Sequence, residues 1–562
     1  MRLSYLKKFG LKGCAFLAKG RLEKFKKNIH TDMERLPALS AEPFTAVVIC
    51  GEENRDRTVR SLEGQSYTNF KITDTPSGEL TAFIKSGDIL DKNALYLMLE
   101  KLLRENADAV YCDEDNFFKP DFSPDTLDSC DYIRSFIIKT EYAKECNFRS
   151  IKTVHCDRVL IKSDRELEFH NEKIAHTDGM VSIIIPSKDN YEVLKNCVES
   201  IRHKTDGGFE IIVVDNGSEE KTADKCRALA DKYIYEKRAF NFSYMCNRGA
   251  EVAGGRFLLF LNDDTEVITA DWLDVMKHYA AKEKSGAVGA KLYYPNSKII
   301  QHCGVINIQP GPAHAFLGLD DEDMLACGRN RGVWNYTAVT AACLMIEKSK
   351  FIGFDESFKV AYNDVELCIR LLKAGLYNMV VNAAALYHYE SLSRGDDRQD
   401  REKLKRLALE REHLFDLHPD YAGRDDYYNY NLSPYRADFA QRFYPVFKSR
   451  YRVLNKVKTG EFMHKIEYAI SGDRVKISGY AFKRGGGYVY VLLERDGRIY
   501  RFDTVREMRT DCEALYVRDA LLGGFCLVLD CTALPEGEYR VGLMLGGKAV
   551  FEDLTVKFIK SV

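Results

Sequence analysis

Three apolar runs, each closed by a polar cluster, constrain the fold of this chain more than any other feature. Val181-Ser182-Ile183-Ile184-Ile185 is stopped at Pro186, Phe209 to Val214 ends at Asp215-Asn216-Gly217-Ser218, and Phe257-Leu258-Leu259-Phe260-Leu261 runs into Asn262-Asp263-Asp264. Short continuous apolar runs of this kind suit strands buried on both faces. Between the first two, Val193, Leu194, Cys197, Val198 and Ile201 recur at helical spacing, and another helix is expected near residues 220 to 233. The alternation predicts an α/β sheet with helices on its faces. The polar clusters then gather at the carboxyl edge of the sheet, where such folds bind ligands.

Asp263 and Asp264 supply hard oxygen ligands that suit Mg²⁺ or Mn²⁺ beside a nucleotide diphosphate. The same residues serve equally in a plain turn or a helix cap. Asp215, at a strand end, can accept a hydrogen bond from a base or ribose, and Gly217 permits a close turn. Farther on, Asn363 is expected to cap a helix with Val365, Leu367, Cys368, Leu371 and Leu372 on its apolar face and Gly375 as its stop. Asp364 falls in the first turn, where an acid is either a reacting group or a favourable partner of the helix dipole. His388 follows another apolar run and is either structural or a ligand. Trp334 is either a stacking surface for a sugar or core.

A shorter copy of the same plan lies upstream. Ala46-Val47-Val48-Ile49-Cys50 matches the Val181 strand, Ser61 to Ile72 matches Ser200 to Ile211, and Phe83-Ile84-Lys85-Ser86-Gly87-Asp88 sits where Phe260 to Asp264 sits. The segment around Asp215 has no counterpart, and Gly87 replaces one carboxylate. Residues 44–150 therefore read as a degenerate repeat, 178–395 as the complete α/β domain, and 396–460 as a helical and tyrosine-rich connector. From 462 to 562, short alternating strands and turns such as Asp496-Gly497 predict an antiparallel β-sandwich.

With 562 residues the chain is too long for a single core. A net charge of −2 gives no reason to expect nucleic acid. Its sixteen cysteines show no zinc or disulfide spacing, which fits a reducing cytosol. Residues 1–40 form a basic leader, with nine Lys or Arg and the single acid Glu23 among the first 28 residues. Interleaved leucines and phenylalanines suit an amphipathic helix on an anionic membrane, and a solvated leader is the alternative. No stretch approaches a membrane span.

Ser182-Ile183-Ile184-Ile185-Pro186, Val213 to Ser218, Asn241-Phe242-Ser243 with Asn247-Arg248-Gly249-Ala250, Leu261 to Asp264 and Asn363 to Cys368 together resemble family 2 glycosyltransferases of GT-A fold. The likeness is greatest to rhamnosyltransferase-like enzymes of bacterial surface polysaccharides. It implies a Rossmann-like GT-A domain, preceded by a degenerate GT-A-like repeat, that moves a sugar from a nucleotide-diphosphate sugar to a glycan or lipid-linked glycan. The resemblance assigns Pro186, Asp189, Asp215, Asn247 and Asp263 to the nucleotide sugar. It assigns Asp264 and His388 to Mg²⁺ or Mn²⁺, and Asp364 to the general base of an inverting displacement. Trp334 becomes part of an acceptor-side wall, and Glu366 contacts acceptor or braces the loop. Asn262 stands where one more acid is usual, as Asn363 does before Asp364. The implied setting is the cytoplasmic face of the plasma membrane. A non-catalytic carbohydrate-binding or assembly protein is the contrasting reading, and a polymerase with two active domains is disfavoured by the deletion after Ile72.

Overall fold

The computed structural model describes residues 39–170, 174–308, 311–389, 401–421, 424–429, 431–433, 436–440, 451–470, 474–482, 488–507, 523–530 and 534–558. The basic leader lies outside the described residues, apart from its last two positions.

The first sheet contains β1 (Thr45–Cys50), β3 (Leu80–Lys85), β4 (Ile89–Leu90), β5 (Ala109–Glu114), β6 (Phe136–Lys139) and β7 (Thr153–Lys162), with β2 (Phe70–Thr73) beside β1. Its order is β1-β3-β6-β5-β7-β4. The second sheet contains β8 (Val181–Ser187), β9 (Phe209–Asp215), β10 (Lys232–Tyr235), β11 (Phe257–Leu261), β12 (Thr265–Val267), β13 (Ser285–Tyr293), β18 (Cys343–Glu347) and β19 (Tyr377–His388). Its order is β10-β9-β8-β11-β18-β13-β19-β12. From β8 onward this order repeats the first sheet strand for strand. Chain order agrees, and so does the sense of every pairing: parallel, antiparallel, antiparallel, parallel, antiparallel. The larger sheet differs by adding β9 and β10 outside β8.

The local chemistry explains the central strands. β11 is wholly buried, and helices Tyr191–Lys204 and Trp272–Ala280 each turn an apolar face to the sheet. Pro186 does not stop β8, which runs to Ser187. β11 pairs with β8 only through Ile184, so the missing N–H of Pro186 falls beyond that ladder. The helix expected over 220 to 233 ends at Arg227, because Lys232–Tyr235 pairs with β9 as a strand. Here sheet pairing overrides helical propensity.

Off the main path lie β14 (Ile300–His302), which pairs with β13, the hairpin of β15 (Val305–Ile308) and β16 (Gly311–His314), and β17 (Val333–Asn335), which pairs with β19. β17 also joins the two α/β domains. Asn335 Oδ1 accepts from Ser123 Oγ at 2.9 Å and from Asp125 N at 3.1 Å, while Asn335 Nδ2 donates to Asp125 Oδ2 at 2.8 Å. One apolar cluster runs through Tyr111, Phe117, Tyr132, Trp334, Tyr336 and Phe439 across this junction. After helix Arg401–Leu417, two further sheets of six and four strands share a core of Val475, Ile477, Val491, Phe502, Leu527 and Val541. No helix among the described residues is long and apolar enough to cross a membrane.

Candidate active site

The carboxyl ends of β8 and β11, the β14 to β16 segment and the start of helix Asn363–Lys373 surround a cleft of about 980 Å³. Pro186, Asp189, Asp263, Asp264, Asp364 and His388 all line it. Residues separated by up to about 200 positions in sequence thus converge on one cleft, as ligand sites at the edge of an open α/β sheet do.

At the acidic end, β11 delivers Asp263 and Asp264 with little exposure. Ser187 Oγ donates to Asp263 Oδ2 at 2.7 Å. The pairing of Thr265 with His388 places the ring directly beside Asp264, with Nε2 3.1 Å from Oδ1. Gln301 Oε1 can only accept, so its 2.7 Å contact fixes the proton on His388 Nδ1. Nε2 is then left to accept from Asn262 Nδ2–H at 3.1 Å, beside Asp264. A ring oriented through its far nitrogen is the arrangement that suits a metal ligand. Among the described residues no group of three Asp, Glu, His or Cys side chains is placed to hold a metal ion, and here Asp264 and His388 stand as a pair. Below the shelf, burial pushes the Cys197 thiol up to about 12, and Asp263 and Asp264 add to the shift. Cys197 is therefore a packing residue rather than a thiolate.

Asp364 stands across the cleft. The residue that enters the helix is Tyr362, at φ 60°, and Asn363 is the first helical position, so Asn363 does not cap. Its Oδ1 instead accepts from Asp364 N at 2.8 Å. Asp364 Oδ1 accepts from Val365 N at 2.8 Å and Oδ2 from Ala341 N at 3.1 Å. The two amides fix the carboxylate and leave each oxygen a further acceptor position.

Four expected site residues lie off the cleft wall. Asp215 is fully buried, with Oδ1 accepting from Ser218 N and Oδ2 from Tyr233 OH, both at 2.6 Å. This closes the turn whose Gly217, at φ 83°, has no room for a Cβ against Lys237. Asp189, at φ 53°, is tied to the same turn through Glu219 N. Asn247 holds the loop at Phe354, donating to its carbonyl at 3.0 Å and accepting from its N–H at 2.9 Å. Glu366 is buried, accepts from Arg370 Nε on Oε1 and from Nη2 on Oε2, each at 2.7 Å, and lies 3.3 Å from His418 Nε2. Trp334 has no exposure, and its Nε1 donates to Arg331 O at 2.8 Å within the core joining the two domains.

The sequence assigned no role to Gln301 or His302. Gln301 orients His388. His302 is fully buried, and its Nδ1 lies 2.9 Å from Nδ1 of His314 on the cleft wall. Burial holds the His302 ring well below its usual range, with His314 and His388 adding to the shift, so it stays neutral. Arg406, Tyr362 and Phe240 also line the cleft and carried no sequence signal.

Residues 182–301 match the model of Glycosyl transferase family 2. An uncharacterised protein of Sinorhizobium fredii, y4gI, is 32% identical over 451 residues, covering 64% of this chain and 49% of its own. The O-antigen biosynthesis protein RfbC of Myxococcus xanthus is 28% identical over 447 residues, covering 64% of this chain and 35% of its own. A PGL/p-HBAD biosynthesis glycosyltransferase of Mycobacterium bovis is 37% identical over 99 residues, covering 17% of this chain and 39% of its own. The chain thus spans half or less of the length of these relatives.

Proposed function

Because this chain carries a glycosyl transferase family 2 domain, we propose that it transfers a sugar from a nucleotide-diphosphate sugar to a hydroxyl of a growing bacterial surface glycan, with inversion at the anomeric carbon. The observation that carries the proposal is the shared cleft: Asp263, Asp264 and His388 on one side, and Asp364 on the other. In this reading the nucleotide lies along Pro186, Asp189 and the Asp215 turn, with Asp263 toward the ribose and Asn247 supporting the loop behind.

Asp264 and His388 would hold Mg²⁺ or Mn²⁺, which take few protein ligands and keep positions for phosphate and water. The ion would neutralise charge on the departing diphosphate. Asp364 accepts the proton of the acceptor hydroxyl as its oxygen attacks the anomeric carbon, and the backbone amides of Ala341 and Val365 keep the carboxylate aimed. Glu366 acts through the helix, as a brace. The O-antigen name belongs to a relative and supports the glycan class by likeness alone.

The test is turnover of a panel of nucleotide-diphosphate sugars by the full chain with Mn²⁺ or Mg²⁺ and a membrane extract as acceptor. Turnover that Asp364→Asn abolishes is expected. An inert wild type, together with an unchanged cellular glycan in the Asp364→Asn strain, would sink the catalytic reading and leave a binding or assembly role.

A further inference from the structure

We infer that the cleft contains a subsite for an anionic group carried by the acceptor, and that Arg406 recognises it. The inference rests on the transferase reading above and extends it to the chemistry of the acceptor.

Arg406 belongs to helix Arg401–Leu417 and lines the cleft together with Leu407. Its Nε is buried without a hydrogen-bond partner, and no carboxylate of the described residues pairs with the guanidinium. One acid on the same helix face is Glu410, one turn further. Glu410 Oε2 instead accepts from Ala361 N at 2.9 Å. Asp364 is likewise held by backbone amides rather than by Arg406. A guanidinium partly withdrawn from water with no anion beside it is costly, and an arriving anion offsets that cost. The planar fork of Arg matches a phosphate or a carboxylate with two parallel hydrogen bonds.

Position decides which substrate brings the anion. Ser357 Oγ lies 3.0 Å from His413 Nε2, the His413 ring stacks on Phe358 at 4.9 Å, and Glu410 holds Ala361. These contacts lay the helix along residues 357–362, the segment that leads directly into Asp364. The acids of the donor side come from β8 and β11 instead. Leu407, next to Arg406 in the chain, and Pro312 and Leu317 line the same cleft, with Leu317 49% exposed. The geometry thus suits an anion next to an apolar or sugar-ring surface on the acceptor side of Asp364.

The full chain is first loaded with Mg²⁺ and whichever of UDP, dTDP or GDP binds. It is then titrated by calorimetry with octyl β-glucoside, octyl β-glucuronide and octyl phosphate. The first two differ by one carboxylate, and the third carries the anion without a sugar. One or both anionic probes should bind about tenfold more tightly than the glucoside. R406Q should erase that preference and R406K should retain most of it, with nucleotide affinity changed less than about twofold in both. Preference for the glucuronide assigns an acidic sugar, and preference for octyl phosphate assigns a phosphate. Equal binding of all three probes by wild type overturns the subsite. So does a loss confined to the nucleotide, which would make Arg406 a donor contact. Absence of any nucleotide binding is a different failure and strikes the transferase reading itself. Thermal melts of both variants separate loss of the anion contact from loss of fold.

Discussion

At the scale of single residues, the cleft is controlled by where protons are held. Gln301 fixes the His388 proton on Nδ1, so Nε2 is left as an acceptor beside Asp264. Gln301→Leu should weaken Mn²⁺ affinity about 10- to 100-fold with little change in melting temperature, as measured by electron paramagnetic resonance titration. Asp364→Asn should lower kcat by about 10²- to 10⁴-fold while nucleoside diphosphate affinity stays within about twofold. These two residues show how unequally a sequence displays a site. Asp264 and Asp364 were legible because they stand at a strand end and at a helix start, where type and position already suggest chemistry. The role of Gln301 is a single contact to a residue 87 positions away, which no local pattern encodes. Trp334 read equally as a sugar platform or as core, and its indole N–H is satisfied inside the core, a fact set entirely by tertiary packing.

Helix Asn363–Lys373 shows the same division at the scale of elements. Its apolar face and its end before Gly375 were readable from spacing, whereas its entry through Tyr362 at φ 60° was not. A bulky residue in that region is uncommon and is held by its surroundings. What secures the helix is the buried Glu366, bonded to Arg370, which also donates to Gly353 O at 2.6 Å, with His418 beside it. Glu366→Ala leaves Arg370 without its carboxylate and should destabilise the chain by about 2–4 kcal/mol in denaturant titrations. A predominantly kinetic defect with unchanged stability would mark Glu366 as an acceptor contact instead. The strand order was legible only in part. Buried runs announce strands, but the antiparallel insertion of β18 between β11 and β13 depends on long-range pairing that periodicity does not carry.

For the whole molecule, the two sheets share a strand order but not a site. Register puts Asp88 where Asp264 stands and Lys162 where His388 stands, while Lys119 and Arg134 pair with Glu114 at the end of β5. With a lysine in place of the second donor, that position should bind no metal, so a Mn²⁺ titration should give one equivalent per chain, lost in Asp264→Asn. The first domain has its own pH signature. Burial opposes the charged ring of His155, but Asp113 and Asp121, at 2.8 and 3.0 Å, raise it from 6.5 to about 9. A raised folded value stabilises fully below 6.5, and that stabilisation is lost as pH rises through about 9. The melting temperature should therefore fall by several degrees between about pH 6.5 and pH 9.5, and His155→Gln should remove that part of the dependence. Asp113 also accepts from Asn429 and Asn431. Asn429 lies 316 residues downstream, so a ribosome adding about 5–20 residues per second makes Asp113 before its partner by about 15–60 s. During that interval Asp113 has the Lys119 N–H and His155 within reach but not yet the side-chain amides of Asn429 and Asn431.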